Sequence, residues 1–337
     1  MARDDDDGRS GKGRLTTRRA LMKAAGVSAL AFGAGTAVGT AGATPASNGQ
    51  TVDLGEEGLT DGGSIDPYLE THFDSDTVVH VPAGEYTYTG SGLGGSYSNA
   101  ALLGSTEGVV LRGASDSDTP VGPTITATDG SVRLENLTIK GAHGQPNSRW
   151  RVGADAGARM ELLNVNMPDG AVDGANATGI YTGTEHAGTL WVSHCHFSNF
   201  GDTALDVSDP YKGSNGTVVV EDCDFVNTGT AAISVGGDDS VVRGCYFEAT
   251  APVSTGAGGQ ARRAIVVDGP GTNVEIDDCD VDWTGVASAP IEFTLPSTGG
   301  DGTISDLRVT DPGSGLLSAA WDVDRTWTGE NINVTEV

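Results

Sequence analysis

Eight stretches of this 337-residue sequence repeat one short frame, and that recurrence leaves few architectures open. Four copies contain cysteine: VSHCHF at 192–197, VEDCDF at 220–225, VRGCYF at 242–247 and IDDCDV at 276–281. LENLTI at 134–139, LLNVNM at 162–167 and ISDLRV at 304–309 replace the cysteine with Leu or Val, and ENINV at 330–334 is a looser copy. The residue before the cysteine position is Asn136, Asn164, His194, Asp222, Gly244, Asp278, Asp306 or Asn331, with Gly108 as an earlier member. Successive markers lie 28, 28, 30, 28, 22, 34, 28 and 25 residues apart, a period that signals a solenoid. Asn, Asp, Gly and an occasional His are the residues that tolerate positive φ, so the marker column is a tight turn. On either side of it, apolar and polar residues alternate with the period of a half-buried strand.

A second strand follows each frame after a variable loop, at 149–152, 179–182, 204–207, 232–235, 264–267 and 290–293, and a third, such as TVVVE at 217–221, leads into the next turn. Three short strands per coil, each parallel to its counterpart in the next coil, describe an all-β, single-stranded, right-handed parallel β-helix of about eight to ten coils. This resembles the pectin-lyase-like superfamily, whose coils carry the same left-handed turn, often as an asparagine ladder. The segment SIDPYLE at 64–70 places Asp66 at the N-cap and Pro67 at N1 of a short helix, followed by DTVVHVPAGEYTYTG at 76–90. A capping helix before such a strand is similar to the opening of many secreted β-helix proteins, and would cover the otherwise open first coil.

Residues 17–23, TRRALMK, precede a mildly apolar Ala/Gly run ending at Ala41-Gly42-Ala43, which resembles a twin-arginine signal with its cleavage site. Residues 1–43 are therefore expected to be a leader, 44–51 a short linker and 52–337 the β-helix, released outside the cell after folding inside it. The run is too weakly apolar for a membrane span. Beyond residue 43 the chain holds 12 basic against 42 acidic residues, and only two of the twelve, Lys140 and Lys212, are lysines. The acids are interleaved with Val, Ile, Leu and Phe, so the composition fits a folded surface adapted to concentrated salt rather than a disordered chain. The same acidity argues against a nucleic-acid partner. A monomer is expected.

The frame divides VSHCHF among different jobs. His194 takes the turn, Cys195 and Phe197 point inward, and His196 faces out beside Asn166 and Asp224 of the neighbouring coils. Three consecutive ligands that diverge in this way cannot close on one metal ion. All four cysteines share one inward column, where Cβ atoms about 4.8 Å apart are wider than a disulfide prefers. Folding before export points the same way, to a stacked column of thiols.

The resemblance implies a ligand groove along the first strand of each coil and its flanking loops. If Trp150, Ile180, Leu205, Ile233, Ile265 and Ile291 face inward, the outward column reads Arg151, Tyr181, Asp206, Ser234, Val266 and Glu292. Arg151, Tyr181 and Asp206 then form a cation, a phenol and a carboxylate suited to abstracting the C5 proton of a uronic acid. Loops add His186 and Lys212 as further catalytic candidates, and Glu185, Asp209, Tyr211, Arg262, Arg263 and Glu292 as binding candidates. Asp206, Asp209, Asp238 and Asp239 are candidate oxygen ligands for Ca²⁺, which lyases of the superfamily often use.

Two local motifs touch other activities of the superfamily. Gly237-Asp238-Asp239 resembles the G-D-D of polygalacturonase-type hydrolases, but the accompanying motifs are absent and a turn capped by acids is the alternative. Asp209-Pro210-Tyr211 resembles the Asp-Pro-His of β-helical alginate epimerases, with Tyr in place of His. Asn176 and Asn215 begin loop sequons, and Asn136 begins a third inside the turn column. The expectation for function is a secreted β-helix that binds and cleaves an acidic polysaccharide by β-elimination. A non-catalytic binder of cell-surface glycan, and a hydrolase or epimerase on the same fold, stand as alternatives.

Overall fold

The computed structural model describes residues 49–114, 120–144, 149–171, 175, 177–207, 216–249, 262–294, 300–312, 315–319 and 326–335. The expected leader, most of the expected linker, the sequon residues Asn176 and Asn215, and the candidates Asp209, Tyr211 and Lys212 lie outside them.

Every strand pairing is parallel, and each strand pairs with its counterpart one coil earlier and one coil later, which makes a right-handed parallel β-helix. Three sheets run along it. The first contains Trp150–Ala154, Ile180–Tyr181, Thr203–Asp206, Ala231–Val235, Ile265–Asp268 and Ile291–Thr294. The second, leading into the turn, contains Thr189–Ser193, Thr217–Glu221, Val241–Arg243 and Val274–Asp277. The third, leaving the turn, contains His196–Ser198, Asp224–Val226, Tyr246–Glu248 and Asp280–Asp282.

All nine marker residues adopt positive φ, from 47° to 64° in eight of them and 113° at Gly108. Side-chain amides tie the first turns together, with Asn164 Nδ2 donating to Asn136 Oδ1 at 2.9 Å and Asn136 Nδ2 donating to the Gly104 carbonyl at 3.1 Å. Gly244 stands where its neighbours carry Asp, and a Cβ there would meet Asp222 Oδ1 at 2.6 Å. A second left-handed column, Gly170, Asn199, Asn227 and Asp311, ends the third-sheet strands and was not anticipated.

Inside, like stacks on like. Phe197, Phe225 and Phe247 are nearly parallel rings with centroids 5.5 and 5.2 Å apart, so the in-register column forces an offset stack. Removing one such ring would cost about 3–5 kcal/mol. Beside them Cys195, Cys223, Cys245 and Cys279 are buried free thiols. Their sulfurs donate to main-chain carbonyls, Cys223 Sγ to Glu221 at 3.2 Å and Cys279 Sγ to Asp277 at 3.2 Å. Burial pushes the Cys223 thiol up, and its thiol neighbours add to that. His196 faces outward between Asn166 and Asp224, yet burial still pushes its imidazole down.

The short helix α1 (Asp66–His72) is present, but its N-cap is Ile65 and no side chain caps it, which corrects the expected role of Asp66. The Asp66 carboxylate instead accepts the main-chain N–H of Thr89 at 3.0 Å and of Ser91 at 2.9 Å. Buried Ile65 and Leu69 anchor the helix to the core. Among the described residues no helix is long and apolar enough to cross a membrane.

Candidate functional site

The first sheet turns an apolar column inward and a mixed column outward. Trp150, Ile180, Leu205, Ile233, Ile265 and Ile291 are fully buried. Their outward neighbours follow in register, Arg151 opposite Tyr181, Tyr181 opposite Asp206, Asp206 opposite Ser234, then Val266 and Glu292. Adjacent members are one coil apart, about 4.8 Å. Arg151, Tyr181 and Asp206 therefore stand side by side on one face.

A fourth residue, not among the candidates read from the sequence, joins them. Arg149 lies two positions before Arg151, on the same side of the chain, and its guanidinium carbon sits 4.5 Å from the centre of the Tyr181 ring. The Arg151 guanidinium is 5.8 Å from the same centre. The phenol is thus flanked by two cations that meet the negative face of its ring. Period-2 alternation around inward Trp150 was the available signal for Arg149.

Glu185 completes the group from the loop at 182–188. It accepts from Arg151 Nη2 at 2.6 and 2.9 Å and from Nε at 3.1 Å, a forked pair. Burial pushes the Glu185 carboxyl up, but its own main-chain N–H and the Arg151 guanidinium together hold it below its ordinary value. Gly183 makes room for the pair, since a Cβ there would come within 2.2 Å of Arg151 Nη2 and 2.4 Å of Glu185 Oε1.

His186, a catalytic candidate from sequence, is fully buried and turned away from this face. Its Nδ1 accepts the Ala154 N–H at 3.1 Å, and burial pushes the imidazole down, toward the neutral form. The neighbouring N–H groups of Ala187 and Gly188 both donate to the Ala154 carbonyl at 2.8 Å. His186 therefore fastens the 182–188 loop to the strand Trp150–Ala154 and so positions Glu185. It cannot touch a ligand on the outer face.

The remaining candidates lie elsewhere. Glu292 is three coils beyond Asp206 and is paired with Arg263 at 2.5 Å, both largely buried. Arg262 donates to the Thr228 carbonyl at 3.0 Å, and burial lowers its pKa. Asp238 accepts from the Thr272 N–H at 2.8 Å and hydroxyl at 2.9 Å, and Asp239 is a left-handed turn residue that accepts from Asn273 Nδ2 at 2.8 Å. Gly237-Asp238-Asp239 is thus a turn capped by acids. Among the described residues no three His, Cys, Asp or Glu side chains gather to hold a metal ion, and the further calcium candidate Asp209 lies outside those residues.

Fold and site together define a parallel β-helix that carries an outward cation, phenol and carboxylate cluster on its first sheet. No protein-family model matches the chain, and no curated protein matches it. Solved structures similar to it include the A-module of a mannuronan C-5 epimerase from Azotobacter vinelandii, at 12% identity over 85% of this chain and 99% of that one, with a TM-score of 0.35. A pectin methylesterase from Aspergillus niger aligns at 16% identity over 86% of each chain with a TM-score of 0.39. A family 28 exopolygalacturonase from Yersinia enterocolitica aligns at 13% identity over 85% of this chain and 78% of that one, with a TM-score of 0.40.

Proposed function

We propose that the face around Tyr181 binds an acidic polysaccharide and cleaves it by β-elimination. One observation carries this reading: a guanidinium, a phenol and a carboxylate stand in register on adjacent coils of the outer face, with a second guanidinium over the phenol ring. In a uronic acid the C5 proton is made more acidic when a cation neutralises the adjoining carboxylate. The Asp206 carboxylate is the acceptor for that proton. The electron pair left on C5 forms the C4–C5 double bond as the C4–O bond breaks, and the Tyr181 hydroxyl donates to the departing oxygen.

The acidic composition and the leader-like residues 1–43 support a protein that works outside the cell in concentrated salt. The test is to incubate purified protein in multi-molar salt with a panel of polyuronates, with and without Ca²⁺, and follow the absorbance of the unsaturated product. Asp206→Asn and Tyr181→Phe should each lower the rate by about 100-fold or more while leaving the fold intact. Neither unsaturated product nor new reducing ends anywhere in the panel would sink the enzymatic reading.

A non-catalytic glycan-binding role is the second reading. Buried His186 and the occupation of Arg151 by Glu185 favour it, since both take reactive groups out of reach. Retention on a polyuronate without turnover is its expected outcome.

A further inference from the structure

Two arginines flank Tyr181, but they are not equivalent. Arg151 is already neutralised, because Glu185 grips its guanidinium with both carboxylate oxygens over the open space at Gly183. Arg149 meets no carboxylate among the described residues, and its contact is with the Tyr181 ring. Every other described arginine meets a carboxylate or, for Arg262, a carbonyl. In a chain of net charge −27, an uncommitted guanidinium is conspicuous. It is half-buried, so it is partly desolvated before any ligand arrives.

We propose that Arg149, held over the Tyr181 ring, is the residue that receives the ligand's carboxylate and so makes the site specific for acidic over neutral sugars. A guanidinium held over an aromatic face by its charge leaves its N–H groups available for the fork that matches a carboxylate. The same contact removes rotamer freedom in advance, so less is lost when the ligand binds. Glu185 already fills the Nε and Nη2 edge of Arg151, so a second carboxylate can take that edge only by displacing it, and the charge it meets is already offset. Glu185 thereby acts as an internal competitor, and the first anion to arrive goes to Arg149. The inference rests on the reading that this face binds an acidic glycan, and adds which group confers the preference.

The experiment is titration calorimetry in molar salt with tetragalacturonate and tetramannuronate, each paired with its carboxyl-reduced neutral counterpart. Arg149→Gln should weaken binding of the charged tetramers about tenfold or more and leave the neutral counterparts unchanged. Arg149→Lys, which keeps the charge but loses the planar fork, should fall between. Arg151→Gln should lose less than Arg149→Gln, and Glu185→Gln should tighten binding by releasing Arg151. Arg243→Gln, the same charge change on the second sheet, where Arg243 pairs with Glu221, should behave as wild type.

Thermal midpoints equal to wild type confirm that each variant is folded, and Arg149→Lys serves if Arg149→Gln is not. Wild-type affinity in Arg149→Gln together with a large loss in Arg151→Gln overturns the proposal and leaves the glycan-binding reading standing. Failure of the wild type to bind any charged tetramer overturns both.

Discussion

His186 shows how one buried side chain serves the site from a distance. Its imidazole is shut inside the 182–188 loop, where burial pushes its pKa below the ordinary 6.5. In the unfolded chain the same group takes a proton near that value. As pH falls below about 6.5 the unfolded state therefore binds a proton that the folded state resists, and stability declines until the lower folded-state pKa is passed. His196, also lowered by burial, adds a slope of the same sign. The urea midpoint should drop between about pH 7.5 and 5.5, and His186→Gln should show a smaller drop over that window. An unchanged slope in that variant would remove His186 from this account. Gly183→Ala tests the loop from the other side. The added Cβ must push Arg151 from Glu185, yet both partners are over a third exposed, so the cost should be under about 1 kcal/mol. Binding of a charged tetramer should rise while the thermal midpoint hardly moves.

The turn column operates on whole strands, because each left-handed residue sets where one sheet stops and the next begins. Asn164 has φ 51° and donates to Asn136. Asn164→Ala should cost about 1–2 kcal/mol for the left-handed backbone and the lost hydrogen bond, whereas Asn164→Gly should cost clearly less. Equal losses in chemical denaturation would mean that the side-chain ladder, and not φ, governs the turn. This column was readable from sequence because conformation restricts it to Asn, Asp, Gly and His at a regular period. The outward order Arg151, Tyr181, Asp206 was readable for a related reason, since in-register parallel stacking leaves one choice of face. Loops obey no such period. Nothing in the spacing of Glu185 and His186 shows that one side chain reaches Arg151 while its neighbour is buried against Ala154. Asp66 misled because an Asp before Pro fits an N-cap, while the N–H groups it serves lie 23 and 25 residues downstream. The column at Gly170, Asn199, Asn227 and Asp311 was missed because it has fewer members and no flanking cysteine to mark it.

Over the whole molecule, charge is the dominant unbalanced quantity. Beyond residue 43 the chain sets 42 acidic residues against 12 basic ones on a solenoid, a shape that spreads charge but buries little of it. Ion pairs offset little of it. Glu161, buried between Arg133 and Arg159 at 2.6 and 3.0 Å, and the largely buried Arg263–Glu292 pair are among the most enclosed, while pairs such as Arg243–Glu221 and Arg151–Glu185 are substantially exposed and contribute about 0–1 kcal/mol each. Repulsion among the carboxylates therefore opposes folding most strongly in dilute buffer. Raising salt from 0.1 to 1 M shortens the Debye length from about 10 Å to about 3 Å, less than the spacing between neighbouring coils. The same screening weakens the exposed pairs, but there are far more acids than bases, so the net effect is stabilising. The thermal midpoint followed by tryptophan fluorescence should rise by roughly 10 °C or more between 0.1 and 2 M NaCl. It should then level off, because screening is exhausted once the Debye length is shorter than the distance between charges. Sodium sulfate should carry the rise further at equal ionic strength, since it also strengthens burial of the aliphatic and Phe columns by exclusion from the surface. A midpoint that stays flat or falls between 0.1 and 1 M would show that the carboxylates are accommodated locally, and would overturn the reading of this surface as built for concentrated salt.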